Sequence, residues 1–91
     1  MEDRYIREDK IIEKTEEQVK QELIVSILRV KQDLDESNKN YEYAEEDLID
    51  YYSYKIKANC SKMDYLLKKA KEHGITMDMI RQLEIKFNTA I

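Results

Sequence analysis

One histidine, one cysteine and a cluster of carboxylates are the groups in this sequence that could serve as base, nucleophile or metal ligand. His73 stands one residue before Gly74. A cationic ring suits the negative end of a helix there, so its reading is structural. Cys60 has Lys57 and Lys62 nearby in sequence, which could activate a thiol. A lone cysteine at helical spacing reads first as a small buried apolar residue. Glu42, Glu45, Glu46, Asp47 and Asp50 could collect Ca²⁺ or Mg²⁺ loosely, but they lack the spacing and central Gly of a calcium-binding loop. The Glu-x-x-His pairing of di-iron bundles does not occur, and one histidine is too few to build such a site. There is no Gly-rich phosphate loop, no Ser/His/Asp set and no cysteine pair. The expectation is therefore no catalytic residue, no cofactor and no metal: not an enzyme.

Two other groups stand out by type and position. The stretch NYEYAEEDLIDYYSY, residues 40–54, holds five tyrosines and five carboxylates with no basic residue. So thin a protein cannot bury all seven of its tyrosines. Tyrosine suits surfaces that are covered only part of the time, being large, fairly rigid and tolerant of water at its tip. Tyr51, Tyr54, Ala58 and Tyr65 form one strip at helical spacing, flanked by Lys55 and Lys62. With Glu45, Glu46 and Asp50 they make the expected protein interface. The bland alternative is tyrosines lying along lysine stems as ordinary surface. Asn59 is the second signal: it occupies an apolar seam between Ile56 and Met63. A buried amide there costs stability but can fix register or association state.

The elements that position these residues follow from periodicity. Val19, Leu23, Ile27, Val30, Leu34, Ser37 and Tyr41 recur in steps of four and three, and Ile24 and Leu28 widen the stripe. Residues 4–38 read as one helix, thinning toward its start at Tyr5, Ile6, Ile11 and Ile12. Residues 1–18 are the polar, frayed part of it, 19–75 the hairpin core and 76–91 a C-terminal helix. Ser37, Asn38 and Asn40 compete for local backbone groups and mark the break. Asp47 is the candidate cap of a second helix with the seam Leu48/Ile49, Tyr52, Ile56, Asn59, Met63, Leu66 and Ala70. Gly74 ends it as a left-handed residue, and Thr76 caps a third helix with Met79, Ile80, Leu83, Phe87 and Ala90 or Ile91 on its apolar face. The fold class is all-α: a long antiparallel helical hairpin plus a short third helix. Either that helix closes a three-helix bundle, or a second chain closes a dimeric four-helix bundle.

Composition agrees, with one Gly and no Pro. Residues 23–50 carry eight acids against three bases, and residues 51–75 carry six bases against two acids. That split suggests pairing of the two long helices with each other, and an overall charge of −4 disfavours a nucleic-acid footprint. No stretch approaches the ~18 apolar residues of a membrane span. The start MEDRYIREDK is too polar for a secretory signal. A lone cysteine fits a reducing compartment, so the expected location is cytoplasmic.

The stretch DLIDYYSYKIKANCSKMDYLLKKAKEHGI resembles the YaaL-like family, a domain of unknown function in small proteins of Gram-positive bacteria. The matching positions are Asp47-Leu48-Ile49-Asp50-Tyr51, Tyr54, Lys57-Ala58, Tyr65-Leu66-Leu67-Lys68 and Ala70-Lys71. The likeness covers roughly residues 20–75, most specifically in the Leu-Ile-Asp-Tyr box, and 76–91 looks like an addition. Members often have Pro within the acidic turn, where this chain has Glu45-Glu46. The resemblance implies a bacterial cytosolic helical protein and brings no enzyme activity, cofactor or catalytic residue.

The sequence thus points to a non-catalytic adaptor or regulatory module that binds another protein, with a homodimer as one form of association. The alternative is nucleic-acid binding through Lys55, Lys57, Lys62, Lys68, Lys69 and Lys71, of which only Lys55, Lys62 and Lys69 align at heptad spacing. Replacing the seam amide, Asn59→Leu, should raise thermal stability while blurring the association state. Lower stability with an unchanged sedimentation profile would count against a register-setting role.

Overall fold

Thr15 starts the first helix. Its hydroxyl accepts the Gln18 N–H at 3.1 Å, and the Gln18 side chain accepts the Thr15 N–H at 2.9 Å. This reciprocal cap satisfies two donors that the first turn would otherwise leave open. The computed structural model describes residues 13–90, and three helices follow in order: α1 Glu16–Glu42, α2 Glu46–Glu72 and α3 Met77–Ala90. The helix expected from residue 4 is thus not continuous with its start, because residues 13–15 lie outside it. The expectations for Tyr5, Ile6, Ile11, Ile12 and Ile91, and for the side chains of Phe87 and Ala90, lie outside the described residues.

α1 also runs four residues past the expected break, through Ser37, Asn38 and Asn40. Packing of Ser37 overrides its weak helix preference, and the exposed Asn38 and Asn40 follow in the same helix. Among the described residues Ser37 is the most buried at 2% exposure, and a small residue in the seam costs little room. Tyr43, Ala44 and Glu45 then turn the chain. Asp47 is not the cap of α2. That position is Glu45, whose carbonyl accepts the Leu48 N–H at 2.8 Å while its side chain makes no capping bond. Glu46 and Asp47 sit instead in the first turn, favoured there by the helix dipole.

α2 ends as its sequence requires. The Ile75 N–H donates to Ala70 O at 2.9 Å and the Gly74 N–H to Lys71 O at 3.1 Å, with Gly74 at φ +74°. This left-handed stop needs glycine, and it folds the buried Ile75 back over the buried Ala70. Thr76 then caps α3 by accepting the Met79 N–H at 3.2 Å.

The core gathers at this end of the hairpin. Ile24, Ile27, Leu28 and Val30 of α1 meet Leu66 and Ala70 of α2, Ile75 of the turn and Ile80 of α3. α3 packs on α1, tied at its edge by Lys31 Nζ to Glu84 Oε2 at 2.7 Å. Toward the other end of the hairpin only Ser37 is buried. Tyr41, Leu48 and Ile49 are 45%, 46% and 38% exposed, against the expectation that they continue the seam. The third helix does not reach them, so two helices alone leave their stripes half open.

The location of the core sets two expected outcomes. Ile27→Ala should cost about 2–5 kcal/mol in denaturant unfolding, whereas Leu48→Ala should cost less than about 1 kcal/mol. A Cβ on Gly74 meets nothing within 4 Å. Gly74→Ala should therefore cost only the backbone penalty of about 1–2 kcal/mol, seen as a melting temperature lower by roughly 4–8 °C per kcal/mol.

Candidate protein-docking face

The outer face of α2 is built on a repeat of seven. Tyr51, Ala58 and Tyr65 follow one another at that spacing and so stack along one line of the helix, with Tyr54 beside it. Tyr52, Ile56, Asn59, Met63, Leu66 and Ala70 take the opposite side, half-buried or buried toward α1. The strip is open: Tyr51, Tyr54 and Tyr65 are 53%, 67% and 58% exposed, and Ala58 is exposed. Glu45, Glu46 and Asp50 lie exposed at its tip end.

Each ring has a lysine over it. The ammonium of Lys55 lies 5.8 Å from the Tyr51 centroid, that of Lys57 5.9 Å from Tyr54 and that of Lys69 5.9 Å from Tyr65. The half-buried Tyr52 meets Tyr51 edge-on, with centroids 4.9 Å apart, and so props that ring from below. A negative ring face draws the cation while the lysine stem covers part of the ring. The lysines therefore face their own helix more than they face α1.

The charge split between the long helices does not become an ion-pair ladder. Among the described residues, one polar side-chain contact ties α1 to the residue that follows α2: His73 Nδ1 lies 2.8 Å from Glu16 Oε2. The single histidine thus links the ends of the two helices. Cys60 is exposed, not buried as its spacing suggested. It falls between the core stripe and the tyrosine strip, a position that a bare count of apolar neighbours does not resolve.

Asn59 does take its seam position, half-buried. Its Nδ2 is buried and has no hydrogen-bond partner. With Glu16 beside His73, equal steps along the antiparallel helices bring it level with the buried Val30. An orphaned donor of this kind costs about 1–3 kcal/mol, which sets the size of the gain expected on Asn59→Leu.

A second recess was not anticipated. Ile27, Leu28, Met63, Leu67, Met77 and Ile80 line an open apolar groove between the three helices, with Lys31, Arg81 and Glu84 at its rim. Leu67 and Met77, 39% and 64% exposed, were the available signal, since both fall off the seams read from periodicity. Among the described residues no group of three or more His, Cys, Asp or Glu could hold a metal ion, and no helix is long and apolar enough to cross a membrane.

No curated protein and no solved structure matches the chain. The family described as Protein of unknown function (DUF2508) matches residues 6–77, from well before the box around Asp47 to the first residue of α3. With most of its length inside that match, the chain belongs to the DUF2508 family.

Proposed function

We propose that this chain is a non-catalytic interaction module, an adaptor or regulatory protein of the bacterial cytoplasm, that docks a protein partner on the outer face of α2. The finer likeness to YaaL-like proteins fits this reading, since that family brings no activity of its own. The observation that carries it is the strip Tyr51, Tyr54, Ala58 and Tyr65, three rings more than half exposed on one line of a well-formed helix. Ordinary surface tyrosines are scattered. Here two of them share a seven-residue repeat with the third beside it, and Tyr51 packs edge-on against the half-buried Tyr52. Rigid aromatic groups lose little entropy when covered and dominate the energetics of many interfaces.

The acidic tip adds direction. Glu45, Glu46 and Asp50 at the end of the strip draw a basic patch toward the rings and speed its approach, an effect that salt weakens. Nucleic-acid binding by the α2 lysines has less behind it. They spread around the helix, and only Lys55, Lys62 and Lys69 align at heptad spacing.

The double variant Tyr51→Ser/Tyr54→Ser tests the reading. It should keep the helical circular dichroism of the parent and lose at least about tenfold in partner or self-association, measured at equilibrium. If it unfolds, the rings belong to the core. Salt-dependent retention of mixed single-stranded DNA by the parent would favour the lysine reading instead.

A further inference from the structure

We propose that the occupant of the tyrosine strip is a second copy of the same chain, its α2 antiparallel to the first across a two-fold axis at Ala58. This rests on the strip being a docking surface and says what docks there. The strip is its own complement. Seven residues before Ala58 stands Tyr51 and seven after it Tyr65; four before stands Tyr54 and four after Lys62; eleven before stands Asp47 and eleven after Lys69. Steps of four, seven and eleven return to the same face of a helix within about 40°. A two-fold axis through Ala58 therefore sets Tyr51 against Tyr65 of the second copy, Tyr54 against its Lys62 and Asp47 against its Lys69, each contact occurring twice.

Charge selects the direction. At the tip end α2 carries Glu46, Asp47 and Asp50, and at the far end Lys68, Lys69 and Lys71. Parallel pairing lays like on like, while antiparallel pairing lays each acidic end on a basic one. Lys55 falls level with Ser61 but shares a flank with Lys62 of the second copy, one residue along. This contact opposes like charges, and the acid–base pairs at the two ends must outweigh it. The residue on the axis is small and exposed, so the two helices can approach to about 8 Å. α3 leaves the strip clear because it packs on α1. Within one chain the Lys57 ammonium already lies 5.9 Å from the Tyr54 centroid, and Lys62 of the second copy would approach the same ring across the axis.

Sedimentation equilibrium of the full chain tests the pairing. The parent should pass from monomer to dimer with concentration, less readily at high salt. Ala58→Glu sets two carboxylates on the axis and should abolish the dimer with helicity unchanged. Asp47→Lys and Lys69→Asp should each weaken it by about tenfold, because one substitution alters two contacts. An equimolar mixture of these two variants should recover parental affinity, since only the mixed pair has opposite charges at both places. If Ala58→Glu disturbs folding, Ala58→Cys in a Cys60→Ser background replaces it and should form a disulfide-linked dimer on mild oxidation. A parent that stays monomeric through hundreds of micromolar, a dimer indifferent to Ala58→Glu, or a mixture that does not recover overturns the proposal. A monomeric parent whose foreign partner is still lost in Tyr51→Ser/Tyr54→Ser removes the second copy but leaves the docking surface standing.

Discussion

Burial of the ridge Ile24, Ile27, Leu28 and Val30 is the contact on which the rest of the molecule depends. It shares one apolar cluster with side chains from every other element: Leu66 and Ala70 of α2, Ile75 of the turn and Ile80 of α3. Several well-buried large side chains, each contributing about 1.5–3 kcal/mol, outweigh any exposed ion pair in the fold. The caps at Thr15, Gly74 and Thr76 serve this ridge by fixing where each helix starts and stops, so that the stripes arrive in register.

From that end the hairpin projects a tip that holds itself less firmly. There α1 and α2 have only each other, and Leu48, Ile49 and Tyr41 stay partly wet. The arrangement separates the fold's support from the aromatic surface. One end maintains the fold, and the outer face of α2 is left free of structural duty, which is what an aromatic docking strip needs. Among the described residues, the one buried side-chain polar atom without a hydrogen-bond partner, Asn59 Nδ2, stands in the seam between the two regions.

Much of this was legible in the sequence, for identifiable reasons. Gly74 and Thr76 announced their boundaries because left-handed backbone and hydroxyl capping each admit few residue types. The seams of α1 and α2 were legible because burial must follow the helical repeat. The strip was legible as spacing, and its exposure followed from there being too many tyrosines to hide. What failed involved competition between local and distant effects. Ser37 and Asn38 looked like a break because local propensity disfavours helix there, but Ser37 is packed in the seam and the helix continues past it. Asp47 looked like a cap because its side chain could serve, yet the backbone turned two residues sooner. Thr15 with Gln18 was a cap in plain sight, hidden by isoleucines upstream that seemed to extend the stripe. Cys60, Leu48 and Ile49 were misplaced because periodicity reports which side of a helix a residue lies on, and not whether anything covers that side.

The exposed thiol has a practical corollary. Cys60 is the protein's one cysteine, lies midway along α2 and sits well around the helix from Tyr51, Ala58 and Tyr65. A maleimide dye or a biotin tether attached there would mark every molecule at a single defined point while keeping the aromatic line unobstructed. The native chain thus comes ready for immobilisation or fluorescence work, with no engineered handle needed.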